Sequence, residues 1–268
     1  MKRYIYIIIG SICSILAACD HIPEAERLIY EKPEPAQRVV LLEDFTGQKC
    51  SNCPKATEVI EQLQETYGDA LVAVGIHGGP LGFAGNAKLV GLATETGTGY
   101  YNSWKLEYQP IGLVNRRAPV NYPEWAAAVK EELAKPAPLR LEGTAILADN
   151  IITIQISANG TDGIVVGKLQ VWLLEDGIMA LQLMPDGTAN MEYIHNHVFR
   201  TAVNDTWGED FSVEEGKTVE RKMTQALESN WNKEQLSIVA FVYNDSGVQQ
   251  AVKFKVKENI EKKTDINN

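Results

Sequence analysis

Cysteine is scarce, with four in 268 residues, too few for a fold stapled by many disulfides. Long apolar runs are scarce as well. The one near the N-terminus, residues 4–16, is short for a helix that spans a bilayer. Positive charge is in deficit: 25 Lys and Arg stand against 35 Asp and Glu, a formal net charge of −10. That balance argues against a nucleic-acid-binding surface, which needs basic residues. No internal repeat or low-complexity block is present. Apolar and charged fractions are ordinary for a globular protein, and the length suffices for two ordinary domains.

The N-terminus reads as a processing segment. Lys2 and Arg3 form a positive start, residues 4–16 an apolar stretch, and Leu16-Ala17-Ala18-Cys19 resembles the lipobox at which bacterial lipoproteins are cleaved and lipidated. The expectation is a signal peptide over residues 1–18, with Cys19 acylated, palmitate included, and anchoring the chain to a membrane. An uncleaved anchor helix is the competing reading. Residues 19–38, with Pro23, Pro33 and Pro35 among charged residues, read as an extended tether. With Cys13 in the signal and Cys19 lipidated, Cys50 and Cys53 are the remaining thiols, and a bridge within the mature chain would join them. Such a small loop gains little from loop-closure entropy, which favours chemistry over stapling.

Residues 39–64 organise the rest. Residues 39–45 form an apolar, β-branched run, as a buried parallel strand does. Thr46 and Gly47 end it, then come Cys50, Cys53 and Pro54, and Ala56, Val59, Ile60 and Leu63 follow at helical spacing. A thiol at a helix N-terminus loses its proton more readily, and its thiolate attacks disulfides. The pattern is a thioredoxin-like strand–CxxC–helix unit. A permanent structural disulfide or half of a zinc site are the other uses of such a pair. Lys49 adds a positive charge next to Cys50.

Residues 71–76 form a second apolar strand, parallel to the first. His77 at its end is either a neighbour of the thiols or an exposed loop histidine. Residues 86–94 are compatible with a short helix, and Tyr100, Tyr101, Trp104 and Leu106 with an aromatic cluster packing the sheet. Pro110 stands directly before the apolar strand 111–114. Thioredoxin-like folds place a cis-proline there, opposite the CxxC, and Pro110 resembles that residue. The backbone of Gln109 would then offer strand-like hydrogen bonds to an incoming partner. A trans proline at a strand start is the alternative. Residues 122–133 form an amphipathic helix, and prolines 136 and 138 mark a boundary.

Past residue 136 the periodicity is two. Strands are expected at 139–141, 145–148, 151–156, 165–174, 237–243 and 248–256, separated by Asn-, Asp- and Gly-rich turns. His195 and His197 share a face if they lie on a strand, a geometry open to metal ligation. No third ligand is evident, so a packing or polar-network role is the reading adopted, with no metal and no cofactor.

The lipobox at Cys19, the FTGQKCSNCP segment at residues 45–54, the Tyr-x-Pro before residue 111 and the HNHVFR segment at 195–200 together resemble the Omp28-related outer-membrane lipoproteins of the Bacteroidetes. The resemblance implies a lipid-anchored outer-membrane protein. It also implies an α/β thioredoxin-like domain (39–135) followed by an all-β immunoglobulin-like sandwich (136–258) and a charged tail (259–268). It implies no particular activity. The function expected from the site is thiol–disulfide exchange with a protein substrate, Cys50 attacking, Cys53 resolving and Pro110 shaping the docking edge. The alternative is an outer-membrane binding or adhesion lipoprotein that recognises its partner through the β-rich half.

Overall fold

The computed structural model describes residues 32–259. The signal segment, Cys19 and nearly all of the charged tail lie outside the described residues. Strand β1 (Val40–Thr46) leads through a turn into helix α1 (Cys53–Tyr67) and back to β2 (Leu71–His77), which pairs with β1 in parallel. Both strands are buried at every position. Ala56, Ile60 and Leu63 of α1 bury against Val40, Leu42 and Ala73 on one face of the sheet. Helix α2 (Glu95–Ser103) covers the other face with Tyr100 and Tyr101. Residues 86–94, expected to be helical, are loop and turn. Thr94 instead caps α2, its hydroxyl accepting from the Gly97 N–H at 2.9 Å.

Strand β3 (Ile111–Val114) pairs antiparallel with β1, and β4 (Pro119–Val120) pairs with β3. Helix α3 (Trp125–Leu133) presses its fully buried Trp125 against Gly112, where an added Cβ would lie 2.6 Å from the indole. Ten strands follow: β5 (Leu139–Ala148), β6 (Ile151–Gly160), β7 (Ile164–Glu175), β8 (Ile178–Leu183), β9 (Ala189–His195), β10 (Val198–Ala202), β11 (Glu209–Glu214), β12 (Thr218–Ala226), β13 (Leu236–Asn244) and β14 (Gly247–Glu258).

The expected α/β thioredoxin-like domain followed by an immunoglobulin-like sandwich is not what the chain forms. The protein is mostly β, built on one mixed sheet of twelve strands, ordered β12-β6-β5-β14-β13-β7-β10-β2-β1-β3-β4 with β11 also on β7. The joint is β10, which lies parallel to β2, Val198 opposite Gly75, and antiparallel to β7. The cause is in the side chains of β7 and β13. Val171, Leu173, Ile238 and Ala240 face a core shared with β5 and β6. Trp172, Leu174, Val239 and Phe241 face the opposite way, into a core shared with Leu41, Phe45 and Val74. Without the N-terminal strands, that second set would face water. Burying a residue of that size contributes about 1.5–3 kcal/mol, so a continuous sheet wins over two separate layers.

Buried polar contacts reinforce the joint. Arg38 ion-pairs with Glu132 at 3.3 Å and donates to the carbonyls of Val248 and Gln249, both at 2.8 Å. The Asn115 amide also donates to Glu132, at 2.9 Å. Strands β8 and β9 stay outside the large sheet, forming a two-stranded hairpin of their own.

Candidate functional site

The turn between β1 and α1 is fixed by close backbone approach. A Cβ at Gly47 would meet the Leu81 carbonyl oxygen at 2.3 Å, so only glycine fits. The Cys50 N–H donates to the Gly47 carbonyl at 2.9 Å, and the Cys53 N–H to the Cys50 carbonyl at 3.3 Å. Cys50 and Cys53 are joined in a disulfide with a Cα–Cα separation of 5.4 Å. Cys53 opens helix α1, with Pro54 directly after it. The Lys49 ammonium lies over the Phe83 ring, 5.3 Å from its centroid.

The Gln109–Pro110 bond is cis. Pro110, Gln109, Tyr108 and Tyr122 line a cavity of about 390 Å³ together with Asn52, which lies between the two cysteines. Pro110 therefore stands beside the CxxC turn. The Gln109 side chain turns inward, donating to the carbonyls of Thr46 and Gly78.

The hairpin β8–β9 covers the disulfide from another side. Gln182 donates to the Cys50 carbonyl at 2.8 Å, and the Leu183 N–H to the Gln48 carbonyl at 2.9 Å. Gln48 in turn donates to the Leu181 carbonyl at 3.0 Å. Cys50 and Cys53 are each 2 % exposed. This cover leaves little mark in the sequence, because β8 and β9 carry polar and apolar residues without the clean alternation of β5 and β6. Replacing Gln182 with alanine removes a hydrogen bond whose net value is about 0.5–1.5 kcal/mol. The expected result is a roughly 3- to 10-fold faster reduction of the Cys50–Cys53 bridge by dithiothreitol, followed by thiol release.

Beside Cys53 lies a small cavity of about 20 Å³, bordered by Asp44, His77, Gln182, Tyr193, His195 and His197. His77 is 3 % exposed. The exposed-loop reading is thus corrected, and His77 neighbours the thiols. Among the described residues, its Nδ1, the Nε2 of His195 and the Oδ1 of Asp44 are buried without a hydrogen-bond partner. Asp44 is a member of the site that the sequence reading does not single out. It sits inside an apolar run and passes there for a strand residue, although an acid in such a run is itself a signal. Burial pushes its carboxyl up to about 8.

Among the described residues no group of three or more His, Cys, Asp or Glu side chains could hold a metal ion. His195 and His197 instead pack at the root of the hairpin, His77 and His195 edge to face at 5.3 Å. Burial lowers both His195 and His197 to about 4, and His77 also falls well below the usual imidazole value. An unfolded chain protonates His195 and His197 near the ordinary value of 6.5, the folded one near 4. Between those values the unfolded state holds more protons, so stability falls as pH drops from about 6.5 to 4. The contribution is on the order of 3 kcal/mol for each of His195 and His197. Urea midpoints at pH 6.5 and 4.5 should differ less in His197→Asn than in the natural chain.

The molecule is thus a mostly β protein with a buried CxxC disulfide at a strand–helix turn, under a hairpin. The chain belongs to the family described as outer membrane protein Omp28, whose sequence profile matches residues 98–260. Pro110 and residues 195–200 fall within the match, and Cys50 and Cys53 precede it. The family is one of outer-membrane lipoproteins, and the protein is located at the outer membrane, lipid-anchored. Among the described residues no helix is long and apolar enough to cross a membrane.

Two solved structures share the fold. HBP35 of Porphyromonas gingivalis is 13% identical over 88% of this chain and 81% of that one, with a TM-score of 0.65. A protein of Agrobacterium tumefaciens is 17% identical over 82% of this chain and 96% of that one, with a TM-score of 0.52. A domain of the outer membrane lipoprotein Omp28 from Porphyromonas gingivalis is 29% identical over 46% of this chain and 90% of that one, with a TM-score of 0.35. No curated protein matches.

Proposed function

We propose that the protein is a lipoprotein, held to the membrane by acyl chains on Cys19, that exchanges disulfides with a protein partner through Cys50 and Cys53. The observation that carries this reading is the shared cavity of Cys53 and Asp44, a carboxyl that burial raises to about 8 and that has no salt-bridge partner among the described residues. An acid tuned near the thiol range is suited to trade a proton with a cysteine.

In the reducing direction, the Cys50 thiolate attacks a partner disulfide, and one partner sulfur leaves and takes a proton. Cys53 gives its proton to the Asp44 carboxylate and attacks Sγ of Cys50. The Cys50–Cys53 bridge closes and the second partner sulfur leaves. Two electrons pass to the partner, and the reverse sequence oxidises it. The groove beside Pro110 offers the partner chain a place to lie, and the β8–β9 hairpin must move aside for the sulfurs to meet. Asn52 and Tyr108 at that groove are exposed and ready for contact.

The burial of both sulfurs favours a second reading, in which the bridge is a permanent staple and the protein is a binding or adhesion lipoprotein acting through its β-rich half. A Cys53→Ser variant separates the two. Under exchange, Cys50 accumulates a mixed disulfide with a model substrate such as scrambled ribonuclease. A staple leaves Cys50 unmodified.

A further inference from the structure

On the face of the sheet away from the disulfide lies a cavity of about 750 Å³, within the size range of small-molecule sites. We propose that it binds a neutral oligosaccharide. This site is independent of Cys50 and Cys53, and the inference does not rest on the exchange chemistry.

Three half-buried aromatic side chains line the cavity: Trp104 just past α2, Trp207 between β10 and β11, and Tyr243 near the end of β13. They come from three elements remote in sequence. Aromatic faces carry negative charge density and attract the weakly positive C–H faces of a pyranose ring. Arg116 also borders the cavity, its side chain buried beneath the aromatic rings. Its guanidinium carbon lies 4.3 Å from the Tyr243 ring centroid and 5.9 Å from that of Trp207. Its Nε donates to Glu43 at 2.8 Å, while its Nη1 is buried with no acceptor among the described residues. Asp210 and Asp245 stand at the cavity as exposed carboxylates, the first paired with Lys168 at 2.9 Å.

The polar groups select the ligand. At the cavity the Lys168 ammonium only donates and the Asp245 carboxylate only accepts. A ligand that satisfies both needs groups that do both, and a hydroxyl is that group. Charge excludes anions: Glu43 neutralises Arg116, Asp210 neutralises Lys168, and Asp245 remains. A neutral polyol with apolar ring faces fits the aromatic walls, the Lys168 donor and the carboxylate edges together.

The test titrates the full chain in detergent with maltotetraose, cellotetraose, chitotetraose and mannotetraose, and with a hyaluronan tetrasaccharide as the anionic arm, following tryptophan fluorescence and heat. The expected result is saturable binding of at least one neutral tetrasaccharide, weakened roughly 10-fold or more in Trp104→Ala and several-fold in Asp245→Ala. Asp245 is exposed in a turn, so its variant keeps the fold and reads binding alone. Absence of binding by all four neutral sugars overturns the proposal. So does tighter binding of the hyaluronan fragment, or affinity unchanged in Asp245→Ala and Trp104→Ala together.

Discussion

Replacing Arg116 with methionine is expected to lower the unfolding free energy by about 3–5 kcal/mol, because it strands Glu43. Glu43 is fully buried on β1, and its ion pair with Arg116 is 2.8 Å long with both side chains nearly inaccessible. Burial raises the Glu43 carboxyl and Arg116 pulls it back, with burial the larger effect. Without the guanidinium the carboxyl must take a proton or break the packing around Trp172 and Phe241, whose rings flank Arg116 at 5.3 and 4.7 Å. For a chain of this size a loss of that order lowers the melting temperature by roughly 10 °C. A Glu43→Gln/Arg116→Met double variant should recover much of it, since a neutral pair carries no stranded charge. Equal melting temperatures for the Arg116 single variant and the natural protein would refute the assignment.

Asp44→Asn is expected to do two opposite things. It stabilises the fold at neutral and basic pH, and it slows exchange by about 10²-fold, the range of general acid–base contributions. The unfolded carboxyl ionises near 3.8 and the folded one near 8. Between these values the folded state holds the extra proton, so the natural protein loses stability as pH rises from about 4 to 8. The loss is on the order of 5 kcal/mol. An asparagine at this position does not titrate, so the gain from the substitution is absent at pH 4 and full above pH 8. The buried histidines act with the opposite sign between pH 4 and 6.5, which is why the comparison is made variant against natural chain at each pH. Denaturant midpoints and stopped-flow exchange rates measure both effects. A stabilised variant with unchanged exchange would leave Asp44 a buried strand residue without a part in the chemistry.

The central part of this site is legible in the sequence because it is local. Residues 39–64 announce a strand, a turn, two cysteines and a helix through periodicity alone, and the turn chemistry at Gly47 and Pro54 agrees. The cis Gln109–Pro110 bond is expected only from the resemblance of Pro110 to the proline that thioredoxin-like folds set ahead of a strand, since position alone leaves a trans proline open. What fails is the partition into a thioredoxin-like half and a sandwich half. The run Val171–Trp172–Leu173–Leu174 is apolar at every position, which signals a strand buried on both faces, yet its neighbours in a period-two series hide that signal. Its two faces serve two cores, and the second core belongs to strands about a hundred residues earlier. The hairpin over the disulfide escapes notice for a related reason. Its anchoring lies in two glutamine side chains, Gln48 and Gln182, whose bonds to backbone carbonyls leave no pattern in a sequence. The histidines at its root are visible as a pair, but His77, the third member, joins them only through the pairing of β10 with β2.

Whether Cys50 and Cys53 form a working redox couple is tested most directly by equilibrating the full chain with glutathione buffers of graded potential and scoring alkylation of the two thiols. A reversible two-electron transition within the glutathione range is expected, shifted or slowed by Asp44→Asn and accelerated by Gln182→Ala. A bridge that stays closed across the whole series, in the natural chain and in Gln182→Ala alike, would contradict a working couple.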